Sequence, residues 1–173
     1  RLPGTDGKAK MSKSLGNCIY LSDSEEEVKK KIMSMFTDPN HLRMEDPGQV
    51  EGNPVFIYLD ACCGDEHFEK YLPEYKNLGE LKAHYARGGL GDVKVKRFLN
   101  SVLQEILGPI RERRKEISKD IPAVYRILEE GSRKARKKAA ETLAAMKRAM
   151  KINYFEDKEL IADQAERFRS RMD

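Results

Sequence analysis

Two lysines three positions apart, Lys10 and Lys13, enclose Met11 and Ser12 and are followed by Ser14 in a glycine-rich opening segment. Paired ammonium groups on a loop suit one task above others, the neutralisation of a polyphosphate whose charge changes during a reaction. Such a transfer depends mainly on positioning and on stabilising charge at the departing phosphates. The hydroxyls of Ser12 and Ser14 can donate to phosphate oxygens, and Met11 can anchor the loop on the structure beneath it. Gly4 and Gly7 before the lysines, and Gly16 after them, supply the backbone freedom of a hinged lid. The competing reading is a Lys/Ser-rich surface loop.

A second charged constellation lies far along the chain. Arg133, Lys134, Arg136, Lys137 and Lys138 fall on a helical pattern, where 133 and 137, and 134 and 138, are neighbours one turn apart. Either these charges meet nucleic-acid phosphates or they form a solvated helix face. No aromatic residue interleaves them, so base stacking is not indicated. Arg111, Arg113, Arg114 and Lys115 form a weaker cluster of the same kind. Between Pro109 and Met150 the chain carries 13 Lys/Arg against 6 Asp/Glu, a local excess of +7 within a total of +4. A basic region on an otherwise near-neutral chain points to a polyanionic partner.

The elements that must position these groups read as helices almost throughout. Residues 1–21 are a loop with an apolar exit at Ile19-Tyr20-Leu21. Ser22-x-x-Glu25 has capping-box spacing, Glu25 to Glu27 load the first turn, and Val28, Ile32, Met35 and Phe36 make a stripe that Asp38-Pro39 stops. Residues 38–53 are an irregular connector. Pro54 starts a helix that buries Val55, Phe56, Tyr58, Leu59 and Cys62 and ends at Gly64. A short segment at 65–72 and a helix over 78–87 follow. Asp92 opens a long amphipathic helix with Val95, Phe98, Leu99, Val102, Leu103, Ile106 and Ile110 at spacings of three and four, interrupted and kinked at Gly108-Pro109. The last long helix starts near Ile121-Pro122. Its stripe of Val124, Leu128, Gly131, Ala135, Ala139, Leu143, Met146 and Met150 is small in the middle, which suits close helix approach. A final helix covers about 156–171.

Composition narrows the class. Hydrophobic residues are 39% and charged residues 36% of 173, enough for a modest core in a strongly charged domain. Apolar runs are only a few residues long, so no membrane span is expected. Cys18, Cys62 and Cys63 are too few and too awkwardly spaced for a disulfide framework, and reduced thiols of a cytoplasmic protein are expected. Cys62, Cys63 and His67 do not have the paired spacing of a zinc site, and no metal site is expected. His41 and His84 lack a partner pattern and read as structural or exposed. The opening Arg1-Leu2-Pro3-Gly4 leads directly into the lysine loop without a leader-like stretch. A domain rarely starts in such a loop, so a preceding segment is expected.

From Pro3-Gly4-x-Asp6-Gly7 through Lys10-Met11-Ser12-Lys13-Ser14-Leu15-Gly16-Asn17, the chain resembles the signature loop of class I aminoacyl-tRNA synthetases. Ile19-Tyr20-Leu21-Ser22-Asp23, Thr37-Asp38-Pro39, Gly52-Asn53-Pro54-Val55-Phe56 and Pro109-Ile110-Arg111-Glu112-Arg113-Arg114 resemble the tryptophanyl branch. The likeness covers most of 2–150 and is densest up to about 65. It implies a mainly α chain in which the signature loop sits at the edge of a truncated nucleotide-binding fold, followed by an all-helical C-terminal domain. The boundary is placed between 1–53, from the catalytic domain, and 54–173, the tRNA-binding part. The resemblance further implies a homodimeric enzyme that adenylates tryptophan with ATP and Mg2+ and transfers it to tRNA. Lys10 and Lys13 would be catalytic, with Met11, Ser12 and Ser14 also at ATP. The tyrosyl branch and a non-catalytic RNA-binding helical module are the alternatives. The HIGH-type histidine motif of the family is absent from this sequence, as is the half that forms its amino-acid pocket, so the fragment alone is expected to be inactive. Some tryptophanyl members hold an iron–sulfur cluster on four cysteines; this chain has three.

Overall fold

The computed structural model describes residues 2–171 and contains seven α-helices among them, with no β-strand beyond an isolated antiparallel bridge between Pro3 and Lys10. Two compact units divide between Glu116 and Ile117. The expected boundary at 53/54 is therefore not where the packing divides. Val28 and Ile32 ahead of it share one core with Phe56, Leu59, Leu81, Tyr85, Leu99 and Val102 behind it.

In the first unit, α1 (Glu25–Met33) is capped by Ser24, whose hydroxyl accepts from the Glu27 N–H while the Glu27 carboxylate returns to the Ser24 N–H. This corrects the assignment of the cap to Ser22. Both serines have the right spacing, but residues 20–23 close a turn, with Asp23 accepting from the Tyr20 N–H. The helix begins two residues later. Phe36 lies beyond its end and is exposed rather than part of the buried stripe. Residues 38–53 form no helix or strand, as expected of a connector.

Helix α2 (Pro54–Cys62) starts on Asn53, whose side chain caps the Val55 N–H, with proline at a position where its missing donor costs nothing. It is followed by α3 (Asp65–Tyr71) and by α4 (Leu78–Arg87), capped by Asn77 and ended by Gly88 at φ +90°. A Cβ on Gly88 would lie 2.2 Å from the Glu45 carbonyl oxygen, so glycine is required twice over there. Helix α5 (Asp92–Ile117) buries Val95, Phe98, Leu99, Val102, Leu103 and Leu107. Phe98 meets the Phe68 ring of α3 at 4.6 Å between centroids. Truncating a fully buried leucine such as Leu99 costs about 2–5 kcal/mol.

The expected interruption at Gly108-Pro109 does not occur; α5 continues through both residues. Proline disfavours helix in the preceding residue partly through that residue's Cβ, which Gly108 lacks. Ile106 and Ile110, placed on the buried stripe, are exposed.

The second unit contains α6 (Ile121–Ala149), capped by Asp120, and α7 (Lys158–Arg169), capped by Asp157. Neither helix has a buried residue. The small-residue stripe of α6 is thus uncovered, with Leu128, Leu143, Met146 and Met150 all exposed and only Val124 partly buried.

Candidate functional site

The lysine loop folds on itself before it meets anything else. The Gly4 N–H donates to the Ala9 carbonyl at 2.7 Å, and the Thr5 N–H to the Asn17 carbonyl at 3.0 Å. Two overlapping tight turns, Ser12–Leu15 and Lys13–Gly16, contain Lys13. Gly7 and Gly16 adopt φ of +67° and +66°, where side-chain-bearing residues are strained. Gly4 is needed for a different reason: a Cβ there would lie 2.1 Å from the Asn17 amide nitrogen.

Asn17 organises the loop, and sequence reasoning gave it no role. Its side-chain oxygen accepts from the Ser12 N–H at 2.8 Å. Its amide nitrogen donates to the Lys10 carbonyl and to both Asp6 carboxylate oxygens, each at 3.2 Å. The side chain is buried, with the residue 4% exposed. Partial burial pushes the Asp6 pKa up, but the Asn17 amide and the Lys8 and Ala9 N–H groups together more than reverse this and hold it below its ordinary value. A buried asparagine fourteen residues beyond a Pro-Gly opening carries no periodicity, so only the loop's closed form reveals it.

Lys10 and Lys13 are exposed and form no ion pair among the described residues. Ser12 and Ser14 hydrogen-bond to each other at 2.8 Å, and Met11 is half-buried. A cavity of about 400 Å³ beside the loop is lined by Leu2, Pro3, Lys8, Ala9, Lys10 and Ile57. Lys8 thus lines it together with Lys10, beside the apolar Leu2, Pro3, Ala9 and Ile57. The loop's base is tied down from outside. The Tyr58 hydroxyl on α2 donates to the Pro3 carbonyl at 2.8 Å, and the Phe36 N–H donates to the Thr5 carbonyl at 3.1 Å. Burial raises the Tyr58 pKa to about 12.

His41, read as structural or exposed, is buried. Its Nδ1 lies 3.1 Å from the Tyr85 hydroxyl and 3.1 Å from the Asp92 carboxylate, while Tyr85 donates to the other Asp92 oxygen at 2.8 Å. His41 lines a cavity of about 450 Å³ with Met44, His84, Asp92 and Arg97, and its Nε2 has no partner.

All five residues of the basic run on α6 are exposed. Lys134 pairs with Glu130 at 2.7 Å and Lys138 with Glu141 at 3.6 Å, whereas Arg133, Arg136 and Lys137 form no ion pair among the described residues. Arg111 of the weaker cluster is engaged by Gln104 at 2.7 Å and Glu25 at 3.4 Å, so it is not a free cation. The loop and the basic run belong to different compact units. Among the described residues no group of three or more His, Cys, Asp or Glu is arranged to hold a metal ion, and the three cysteines are free. No helix among them is long and apolar enough to cross a membrane.

Residues 1–108 match the family described as tRNA synthetases class I (W and Y). The chain is 62% identical over 155 residues to a tryptophan–tRNA ligase of Clostridium longisporum, covering 90% of this chain and 43% of that protein. It is 58% identical over 155 residues to one from Streptococcus pyogenes serotype M3, covering 90% of this chain and 44% of that one. Among solved structures it is similar to tryptophanyl-tRNA synthetase from Campylobacter jejuni complexed with ADP and tryptophan, with a TM-score of 0.65 and 31% identity over 86% of this chain and 43% of that one. The chain therefore spans less than half the length of the curated relatives it matches. With residues 1–108, more than half of the chain, inside the matched span, the chain belongs to the class I tRNA synthetases of the tryptophan and tyrosine group.

Proposed function

We propose that this chain is the ATP-side loop and helical portion of a tryptophan–tRNA ligase. The observation that carries the reading is a pair of unneutralised lysines, Lys10 and Lys13, on a loop whose base is hydrogen-bonded from α2 and from Phe36. In amino-acid activation the tryptophan carboxylate attacks the α-phosphate of ATP, the aminoacyl–phosphate bond forms, and the bond to pyrophosphate breaks. The carboxylate is already ionised, so no general base is needed. What the step requires is cationic groups where charge accumulates on the leaving pyrophosphate, and this the two ammonium groups supply. Ser12 and Ser14 supply hydroxyl donors beside them. The ADP and tryptophan bound by the Campylobacter relative support both substrates.

Mg2+ would arrive on the nucleotide. Asp6, the carboxylate within the loop, is engaged by Asn17. Transfer to tRNA follows in the same reading, with Arg133, Arg136 and Lys137 as the phosphate-facing cations of α6 and Lys134 and Lys138 as partly neutralised companions. A homodimer and a cytoplasmic setting complete it, the latter in keeping with three free thiols.

The test is pyrophosphate exchange by the intact synthetase with each amino acid in turn. Tryptophan-dependent exchange is expected, slowed by Lys10→Ala or Lys13→Ala with tryptophan affinity unchanged. The loss corresponds to roughly 2–4 kcal/mol in activation. Exchange with tyrosine would place the chain in the sister branch. Unchanged single-turnover adenylation in both variants would remove the loop from the mechanism.

A further inference from the structure

Lys96 is a lysine in the wrong place for a surface residue. It lies on the second turn of α5, is 5% exposed, and sits among the core residues Val95, Phe98 and Leu99. Its ammonium donates to the Met35 carbonyl at 2.6 Å and to the Met33 carbonyl at 3.1 Å. Asp92, one turn earlier on α5, is turned to Tyr85 and His41 instead. Burying an ammonium is costly unless its protons are met, and burial lowers the Lys96 pKa. A neutral side chain of the same length would fill this space without that cost, so the carbonyl contacts are the feature to explain.

The Met33 carbonyl is the last of α1, and the Met35 carbonyl lies two residues beyond it. The last carbonyls of a helix lack internal partners and carry its negative dipole end. Lys96 therefore fixes the segment Met33–Met35 through its two carbonyls. The next residue, Phe36, donates its N–H to Thr5 at the base of the lysine loop, and its Cβ is one of the atoms that a Cβ on Gly7 would crowd, at 3.3 Å. The path from α5 to the loop is thus short and made of direct contacts.

We propose that Lys96 is a positioning residue for Lys10 and Lys13: it fixes the 33–36 segment, and that segment holds the base of the loop at Thr5. The proposal rests on the role given above to the two loop lysines.

Lys96→Met, which keeps a long unbranched side chain but no donors, tests it in the intact synthetase. The turnover number of tryptophan-dependent pyrophosphate exchange should fall about 10- to 100-fold, the scale of a small misplacement of catalytic groups. KM for tryptophan and tRNA affinity should stay at wild-type values. In a Lys10→Ala background the same substitution should cost less, because one of the two groups it positions is gone. Hydrogen exchange should accelerate at the Phe36 amide and not at α2 amides. A folded variant with an unchanged turnover number, or a loss fully additive with Lys10→Ala, overturns the proposal. If Lys96→Met does not fold, Lys96→Arg takes its place. A planar fork cannot reproduce the contacts of a compact ammonium, so the same selective loss is expected, and wild-type rates in a folded arginine variant overturn it. Lys10→Ala alone separates the two readings. If it leaves adenylation intact, the loop's assigned chemistry falls; if it slows adenylation and Lys96→Met does not, only the role of Lys96 falls.

Discussion

Replacing Asn17 by alanine should loosen the lysine loop without unfolding the helices. The substitution leaves the backbone bond from Thr5 to residue 17 intact but strips the partners of the Ser12 N–H and the Lys10 carbonyl. Each such bond contributes about 1 kcal/mol net, so the closed form of the loop should lose about 2 kcal/mol, or about 30-fold in its local equilibrium. The assay is native-state hydrogen exchange on this chain, read at the Ser12 amide and compared with amides in α2 and α4. Ser12 should exchange about 30-fold faster while the helix amides keep their rates. Asn17→Asp provides a sharper version at equal volume. It removes the donor to Lys10 and sets a second carboxylate about 3.2 Å from Asp6, so it should open the loop more than alanine does. Equal protection at Ser12 in wild type and both variants would refute the view that Asn17 holds the loop closed. Aspartate gentler than alanine would refute the role of the Asn17 amide as donor to Lys10 and Asp6.

Four further outcomes are expected. Ser24→Ala should destabilise the first unit by about 1 kcal/mol through loss of the α1 cap, while Ser22→Ala stays within about 0.5 kcal/mol; urea denaturation of both variants distinguishes them. The Asp6 carboxyl should titrate below 3.8 by NMR. Because its folded value is depressed, its contribution is present above the unfolded value and lost as pH falls through the folded one, and Asn17→Ala should move the midpoint upward. Tyr58 behaves in the opposite sense: its folded pKa is raised to about 12, so what it contributes is complete below about 10 and lost as pH climbs toward 12, visible as late tyrosinate absorbance, and Tyr58→Phe should cost about 1 kcal/mol. On α6, neutralising Arg133, Arg136 and Lys137 together should weaken tRNA binding by the intact synthetase and flatten its salt dependence by about 0.7–0.9 per lost phosphate contact; an unchanged slope would make the run a solvated face.

Helices with strong local punctuation were legible in the sequence. Asn53-Pro54 marks the start of α2, Gly88 the end of α4 and Ile121-Pro122 the start of α6, because caps and prolines act over one or two residues. Where two local signals competed, tertiary context chose between them. Ser22 and Ser24 offer the same capping spacing, and the turn that ends on Asp23 selects the second. Pro109 reads as a break, yet Gly108 lets the helix pass. The lysine pair of the candidate site was legible because its chemistry depends on residue types at fixed spacing. Its supports were not. Asn17, Tyr58 and Lys96 act through contacts to backbone atoms 5 to 63 positions away, and a polar side chain aimed at a distant carbonyl leaves no pattern in its own neighbourhood. The division at Glu116–Ile117 was hidden for a related reason, since amphipathic spacing along α6 says which face is apolar and not whether anything covers it.

That uncovered helix determines how the chain should meet a protease. Opening a turn of α6 exposes little apolar surface that was not exposed already, so segments of it open at low free energy. Trypsin cleaves after lysine and arginine, and α6 carries Arg126, Arg133, Lys134, Arg136, Lys137, Lys138, Lys147 and Arg148. Brief digestion should therefore shorten the chain from its C-terminal side and slow sharply on reaching α5, where Leu103 and Leu107 are buried. The piece present before the exposed Lys8, Lys10 and Lys13 are cut as well would keep Asn17, Lys96 and the lysine loop while shedding the basic run. The cations assigned to nucleotide chemistry and those assigned to RNA backbone could then be assayed apart, by clipping one natural chain rather than by rebuilding it.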